Sequence, residues 1–332
     1  MGSEWRMPRR IDLAHAVSLL RTRDDLLREG SSERKLRSDV ERGVLRRVHR
    51  GRYVSGADWA DLWPEGRQLV RILAVRSASP GEGPVFSHAS AAALWGLPLH
   101  GPIPDTVHTV IRGRRHSRAE PGVMRHSLLL DATDVVRRHG MLCTSLIRTV
   151  FDVARTLPPE AAIAVGDAAL RLVSVRGNDV DPDAVDTWRD ELDGMCAAGL
   201  RGVRRARWVG EFADGRAQLP GESVSRLQLH RLGFRDIALQ VPIEGATGAR
   251  YFADFGFRRS RAFGEFDGEG KYLDPALRGH ETPAEIVLAE KRREDDIRGV
   301  TGWRVVRWGA GDIRTPALLG ARLSAFGIHP PG

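Results

Sequence analysis

The run from residue 236 to 308 constrains the fold most. DIALQVPI (236–243) alternates Ile237, Leu239, Val241 and Ile243, the period-two pattern of a half-buried strand. After the turn GATG comes RYFADFGF (250–257), and after RRS comes RAFGEFDG (261–268); both read as strands. PAEIVLAEKRREDDIRG (283–299) then reads as a helix, with Pro283 at its start and Gly299 at its end. TGWRVVRW (301–308) is an apolar strand. Upstream, ESVSRLQLHRLG is a helix ended by Gly233 that carries Glu222 and Arg226 at i,i+4, and downstream DIRTPALLGARLSAF is a final helix. The order is α-β-β-β-α-β.

Within this run GEFDGEGKY (264–272) crowds three carboxylates and a lysine into a strand end. Residues two apart on a strand share a face, so Glu265 and Asp267, with Cα atoms about 6 to 7 Å apart, can converge on one cation. Asp254 lies on the preceding strand and comes beside Glu265 if the two strands pair as a hairpin. Three hard oxygen donors suit Mg²⁺ or Mn²⁺ better than zinc. Such an ion activates water and offsets charge on a scissile phosphate. The alternative is a charged strand end running into a turn.

A second constraint is where the positive charge sits. The chain of 332 residues carries a formal net charge of +8. From Arg28 to Arg52 there are nine Lys or Arg (28, 34, 35, 37, 42, 46, 47, 50, 52) against four acids (29, 33, 39, 41), more than half of that net charge in one short unit. That charge lies within residues 9 to about 56, whose pattern is a helix holding Ile11, Leu13, Val17 and Leu20, then a helix capped by Ser31 or Ser32 and stopped at Gly43, then a basic hairpin VLRRVHRGRYV (44–54). This is the order of a winged helix-turn-helix. Double-stranded DNA is the expected partner, with Arg34, Lys35, Arg37 and Ser38 of the second helix towards the bases and Arg46, Arg47, Arg50 and Arg52 on phosphate. A solvated, basic protein-interaction module is the competing reading.

Residues 57–212 read as a mixed α/β region. SHASAAALWGLPL (87–99) is expected to be a helix capped by Ser87 and stopped by Gly96, DTVHTVIRG a strand, and CTSLIRTVFDVARTLPPEAAIAVGDAALRLV (143–173) two helices split by Pro-Pro. His88 reads as a packing or capping residue with no catalytic partner nearby. The expected fold class is α+β in three parts: a winged helix over 1–56, an α/β middle region over 57–212 and the α-β-β-β-α-β domain over 213–332. Two cysteines, Cys143 and Cys196, are too few for a disulfide framework, and neither a secretory signal nor a membrane span is legible. These point to the cytoplasm.

The order α-β-β-β-α-β with Asp254 and Glu265-Phe-Asp267 resembles the restriction-endonuclease-like, or PD-(D/E)xK, superfamily. More narrowly it is similar to the very-short-patch-repair-type branch, through EFDG, then AEKRRED (289–295), then GWRVVRW (302–308). The segments ERGVLRRVHRGRYV and SHASAAALWGLPL resemble AbiEi-type antitoxins of type IV toxin-antitoxin systems, and actinobacterial proteins join such an N-terminus to such a C-terminal domain. The resemblance implies a nuclease fold in which a lysine steadies the nucleophilic water. The family places that lysine two residues after the acid, where this chain has Asp267; Lys271 and Lys291 are the candidates, and Glu222 is a further acid. Three readings stay open: an antitoxin-like DNA-binding regulator, a Mg²⁺- or Mn²⁺-dependent DNA endonuclease, and a protein-protein neutraliser of a cognate toxin.

Overall fold

The computed structural model describes residues 11–101, 105–111, 120–197, 199–268 and 283–330. They form a mixed α+β chain in two compact units, one of residues 1–165 and 188–211, the other of residues 166–187 and 212–332. The expected segments 1–56 and 57–212 thus fall largely in one unit. Residues 166–187 join the C-terminal part because buried Asp167 accepts from Arg226 at 2.7 and 3.0 Å and from the Asp214 amide at 2.9 Å.

The first unit begins with α1 (Leu13–Leu19), β1 (Arg21–Thr22), α2 (Arg23–Arg28), α3 (Glu33–Glu41), β2 (Leu45–His49) and β3 (Arg52–Ser55). Thr22 ends β1 and caps α2 in a reciprocal box with Asp25. Ser32, rather than Ser31, caps α3 by accepting from the Lys35 amide at 3.2 Å. Gly43, at φ +74°, ends that helix as expected. The strands form an antiparallel sheet in the order β1-β3-β2. Its core holds Ala16, Val54, Leu62 and Val70, flanked by Ile11, Leu19, Leu20 and Val48. Val17, read as part of the apolar face, is 54% exposed, and Ala16 packs in its place.

After α4 (Gly56–Ala60) and α5 (Pro64–Ala78), the unit builds a second sheet from β4 (Val85–Phe86), β5 (Val107–Val110), β6 (Val123–His126), β7 (Val135–Arg138) and β8 (Met141–Thr144), in the order β6-β5-β4-β8-β7. Helix α6 (His88–Trp95) is buried at every position from His88 to Leu94, which its Ala-rich sequence permits. Helices α7 (Leu146–Thr156) and α8 (Pro159–Ser174) flank the expected proline break. A short hairpin of the second unit, β9 (Val175–Arg176) and β10 (Asp179–Val180), leads to α9 (Pro182–Cys196) and α10 (Val203–Phe212).

The second unit contains α11 (Pro220–Arg231), β11 (Ala238–Glu244), β12 (Arg250–Phe257), β13 (Ala262–Phe266), α12 (Pro283–Thr301), β14 (Arg304–Trp308) and α13 (Pro316–Ser324). The element order matches the sequence reading. Strands run in the order β11-β12-β13-β14, antiparallel except for the parallel β13–β14 pair that α12 connects. One face buries Phe255, Phe257, Phe266 and Trp308 with Leu229, Leu319 and Leu323; the other buries Ile243, Phe263 and Ile297. Helix α11 lies so close to β13 that a Cβ at Gly221 would overlap the Phe266 ring. That contact fixes the next residue, Glu222, near the strand.

Candidate nucleic-acid interface and acidic site

The basic face is carried by α3 and the β2–β3 hairpin. Arg34, Lys35 and Arg37 on α3 are exposed and Ser38 is half-buried, because Leu36 and Asp39 turn inward. On the hairpin Arg46, Arg47 and Arg50 are exposed, and Gly51, at φ +67°, makes the turn. None of Arg34, Lys35, Arg37, Arg47 and Arg50 forms a side-chain hydrogen bond or ion pair with a described residue. Arg46 lies 5.9 Å from the Trp59 ring centre, a cation–π distance. Arg52 is spent differently: it donates to the Ser77 hydroxyl and carbonyl, each at 2.7 Å, and to the Gly51 carbonyl. It ties the hairpin to α5. His49 sits 3.1 Å from Glu120, and burial pushes its imidazole below the usual range.

The acidic site gathers around a residue the sequence reading passed over. Gln240, at φ +47°, lies opposite Asp254, since Leu239 pairs with Phe255 and Val241 with Ala253. Its amide donates to Glu222 at 3.2 Å and to Asp254 at 3.4 Å. Glu222 is 3% exposed and also accepts from the Gln218 amide at 2.9 Å. The second Asp254 oxygen accepts from the Phe266 amide at 2.8 Å. Thus Glu222 and Asp254 share one polar donor.

Glu265 is drawn elsewhere. It pairs with Arg293 of α12 at 2.8 Å and with Arg307 of β14 at 3.2 Å, and Arg307 also reaches Glu290 and Glu294. Asp267 lies just past β13, where its amide donates to the Trp308 carbonyl at 2.8 Å. Among the described residues the only three His, Cys, Asp or Glu side chains with ligand atoms all within 4.8 Å of one another are His88, His108 and His126. The expected trio Asp254, Glu265 and Asp267 therefore does not converge on one ion. The physical reason is the pair of arginines that claims Glu265 and the end of β13 at Phe266. As for the lysines, Lys291 is exposed on α12 while Arg293, two residues on, faces Glu265; Lys271 lies outside the described residues.

Comparison with known proteins adds breadth without function. No family model matches the chain. Two Mycobacterium tuberculosis proteins, from strains CDC 1551 / Oshkosh and H37Rv and each described as uncharacterized, are 29% identical to it over 294 residues. The match covers 88% of this chain and 96% of each relative. It is longer than either unit alone, so the similarity runs through both.

Arg293, Arg307, Gln240 and the three histidines are the site residues that sequence reasoning missed. Arg293 and Arg307 sit inside the quoted motifs but were weighed as a charged helix and strand, because the superfamily pattern directs attention to lysine. His88, His108 and His126 come from three elements separated in the chain. The legible signal was only that each falls at a strand or at a helix start.

Proposed function

We propose that the protein is a DNA-binding regulator of the antitoxin-like kind, with residues 11–56 acting as a winged helix-turn-helix and the second unit built as a restriction-endonuclease-like sheet. The observation that carries this reading is the set Arg34, Lys35, Arg37, Arg47 and Arg50, exposed and without ion-pair partners among the described residues. Neighbouring arginines are paired with acids, as Arg21, Arg28, Arg42 and Arg125 are with Glu29, Asp25, Asp39 and Glu120. The element order α1-β1-α2-α3-β2-β3 supports α3 as the helix offered to the major groove and the hairpin as a wing on phosphate. At nine residues α3 is about 14 Å long, which suits a groove about 12 Å wide. Selection of bound fragments from a random duplex pool tests it. The reading expects a preferred sequence, with binding to it weakened by about 1–3 kcal/mol in Arg34→Ala or Arg37→Ala; no enrichment of any sequence with the wild type contradicts it.

A second reading, DNA cleavage, draws on the buried Glu222 and the half-buried Asp254, both held by one Gln240 amide beside a four-stranded sheet in the expected order. These two carboxylates, rather than the three expected from sequence, are the residues that would hold Mg²⁺ or Mn²⁺. Its test is scission of duplex DNA in either ion beside Glu222→Gln and Asp254→Asn. Activity lost in both variants supports it, and equal activity in all three preparations assigns scission to a contaminant. A third reading, neutralisation of a cognate toxin by protein contact alone, predicts that the basic face is dispensable.

A further inference from the structure

Three imidazoles from three elements meet inside the first unit. His88 is the first residue of α6, His108 lies on β5 and His126 ends β6. Strands β5 and β6 are parallel, with His108 opposite Met124 and Val110 opposite His126, so the two histidines share one face of the sheet. The Nδ1 of His108 stands 2.8 Å from the Nε2 of His126. The His88 ring stacks on that of His126, centres 3.8 Å apart and 18° from parallel. His88 is 3% exposed, His108 7%, and His126 is half-buried.

As plain core packing this arrangement carries costs in backbone conformation and helix capping. His88 takes φ +49°, in the left-handed region that few non-glycine residues adopt. Ser87 stands at the N-cap of α6, where the sequence expects its hydroxyl to cap the helix, yet it makes no cap hydrogen bond. Its Oγ lies instead 3.0 Å from Nδ1 of His88. Thr106 Oγ1 lies 3.3 Å from Nε2 of His108. Hydroxyls that engage the far nitrogen of a ring, fixing its orientation and tautomer, are what metal-bound histidines require of their surroundings.

We infer that His88, His108 and His126 form a three-histidine site for a single divalent transition-metal ion, Zn²⁺ foremost, with a fourth position left for water or a small ligand. One ligand atom from each residue lies within 4.8 Å of the others, so small side-chain shifts bring all three to the roughly 2.0–2.1 Å of a Zn–N bond. All-nitrogen donors exclude Mg²⁺ and Ca²⁺, which take oxygen. Burial disfavours the charged form of all three rings, and the neutral imidazole is the form that ligates a cation. The nearest cations, Arg148 and Arg155 on α7, are already matched by Asp134 and Asp152. An ion here would lock β6, at the edge of its sheet, to the start of α6.

The test is a titration of full-length protein, first stripped with a chelator, using Co²⁺ followed by Zn²⁺ competition. The expected result is one ion per chain, with the visible absorption of four-coordinate Co²⁺ bleached by Zn²⁺. His126→Ala, which alters the most exposed of the three, should weaken binding by more than the about 10- to 100-fold that loss of an outer-shell partner costs, with an unchanged far-ultraviolet dichroism spectrum. X-ray absorption at the zinc edge of the wild-type complex should show imidazole shells, and it decides the matter even where the variant fails to fold. Absence of a stoichiometric ion in the wild type, equal affinity in a folded His126→Ala protein, or a zinc edge without imidazole would each overturn the site.

Discussion

Glu265 shows how a single side chain can be legible in sequence while its role is not. Its place on the third strand of the sheet follows from alternation, but its two arginine partners come from elements 28 and 42 residues later in the chain. A carboxylate whose side chain is 13% exposed depends on those partners. Arg293→Ala is therefore expected to destabilise the second unit by about 1–3 kcal/mol in urea unfolding, with Glu265→Gln recovering part of the loss in the double variant. Lys291→Ala, on the exposed side of the same helix, should leave stability unchanged. The three histidines make a second prediction at this scale, for metal-free protein. Burial, and next to it His126, pushes His108 down to about 4 from 6.5. Its contribution to stability is complete above about pH 6.5 and is lost as the pH falls towards 4, because the unfolded chain takes up the proton first. His88, lowered further, acts in the same direction. Asp152, which burial raises to about 6, works against them below that pH. The wild-type melting temperature should fall between pH 6.5 and 5, and less steeply in His108→Gln. Parallel curves would contradict the assignment.

Among elements, the strands and helices of the second unit were the most readable, because each strand packs one or both faces against flanking helices and its apolar positions follow the two core layers. The start of the first unit was less so. The reading of one helix holding Ile11, Leu13, Val17 and Leu20 missed β1 and α2, since a two-residue strand has no period and Thr22 looks like any polar residue until its cap with Asp25 forms. The cluster at α6 was illegible for a different reason. Its ligand atoms meet through strand pairing, and no local spacing encodes β5 lying beside β6. Close approach of elements gives the prediction at this scale. Gly221→Ala puts a methyl group into the Phe266 ring, so it should cost about 1–3 kcal/mol by overpacking. The same change shifts Glu222 away from Gln240, and Gly299→Ala, with open space around it, should show neither effect.

For the molecule as a whole, the α+β class followed from the sequence, as did the order of elements in the second unit, whereas the division into units did not. Residues 166–187 belong with the C-terminal part through Asp167, a buried charge whose partners Arg226 and Asp214 lie far along the chain. The relatives in Mycobacterium tuberculosis match through both units, so the combination is shared rather than peculiar to this chain. The described helices include none long and apolar enough to cross a membrane. At this scale the central claim is that charge left unpaired on α3 and the hairpin exists to meet DNA phosphate. The most direct measurement is duplex affinity across a salt series for the wild type and for Arg47→Ala with Arg50→Ala. Each phosphate contact removed should lower the slope of log affinity against log salt by about 0.9, so the double variant should bind all sequences more weakly and with a slope shallower by about 2. Identical affinity and slope in the two proteins would contradict the account.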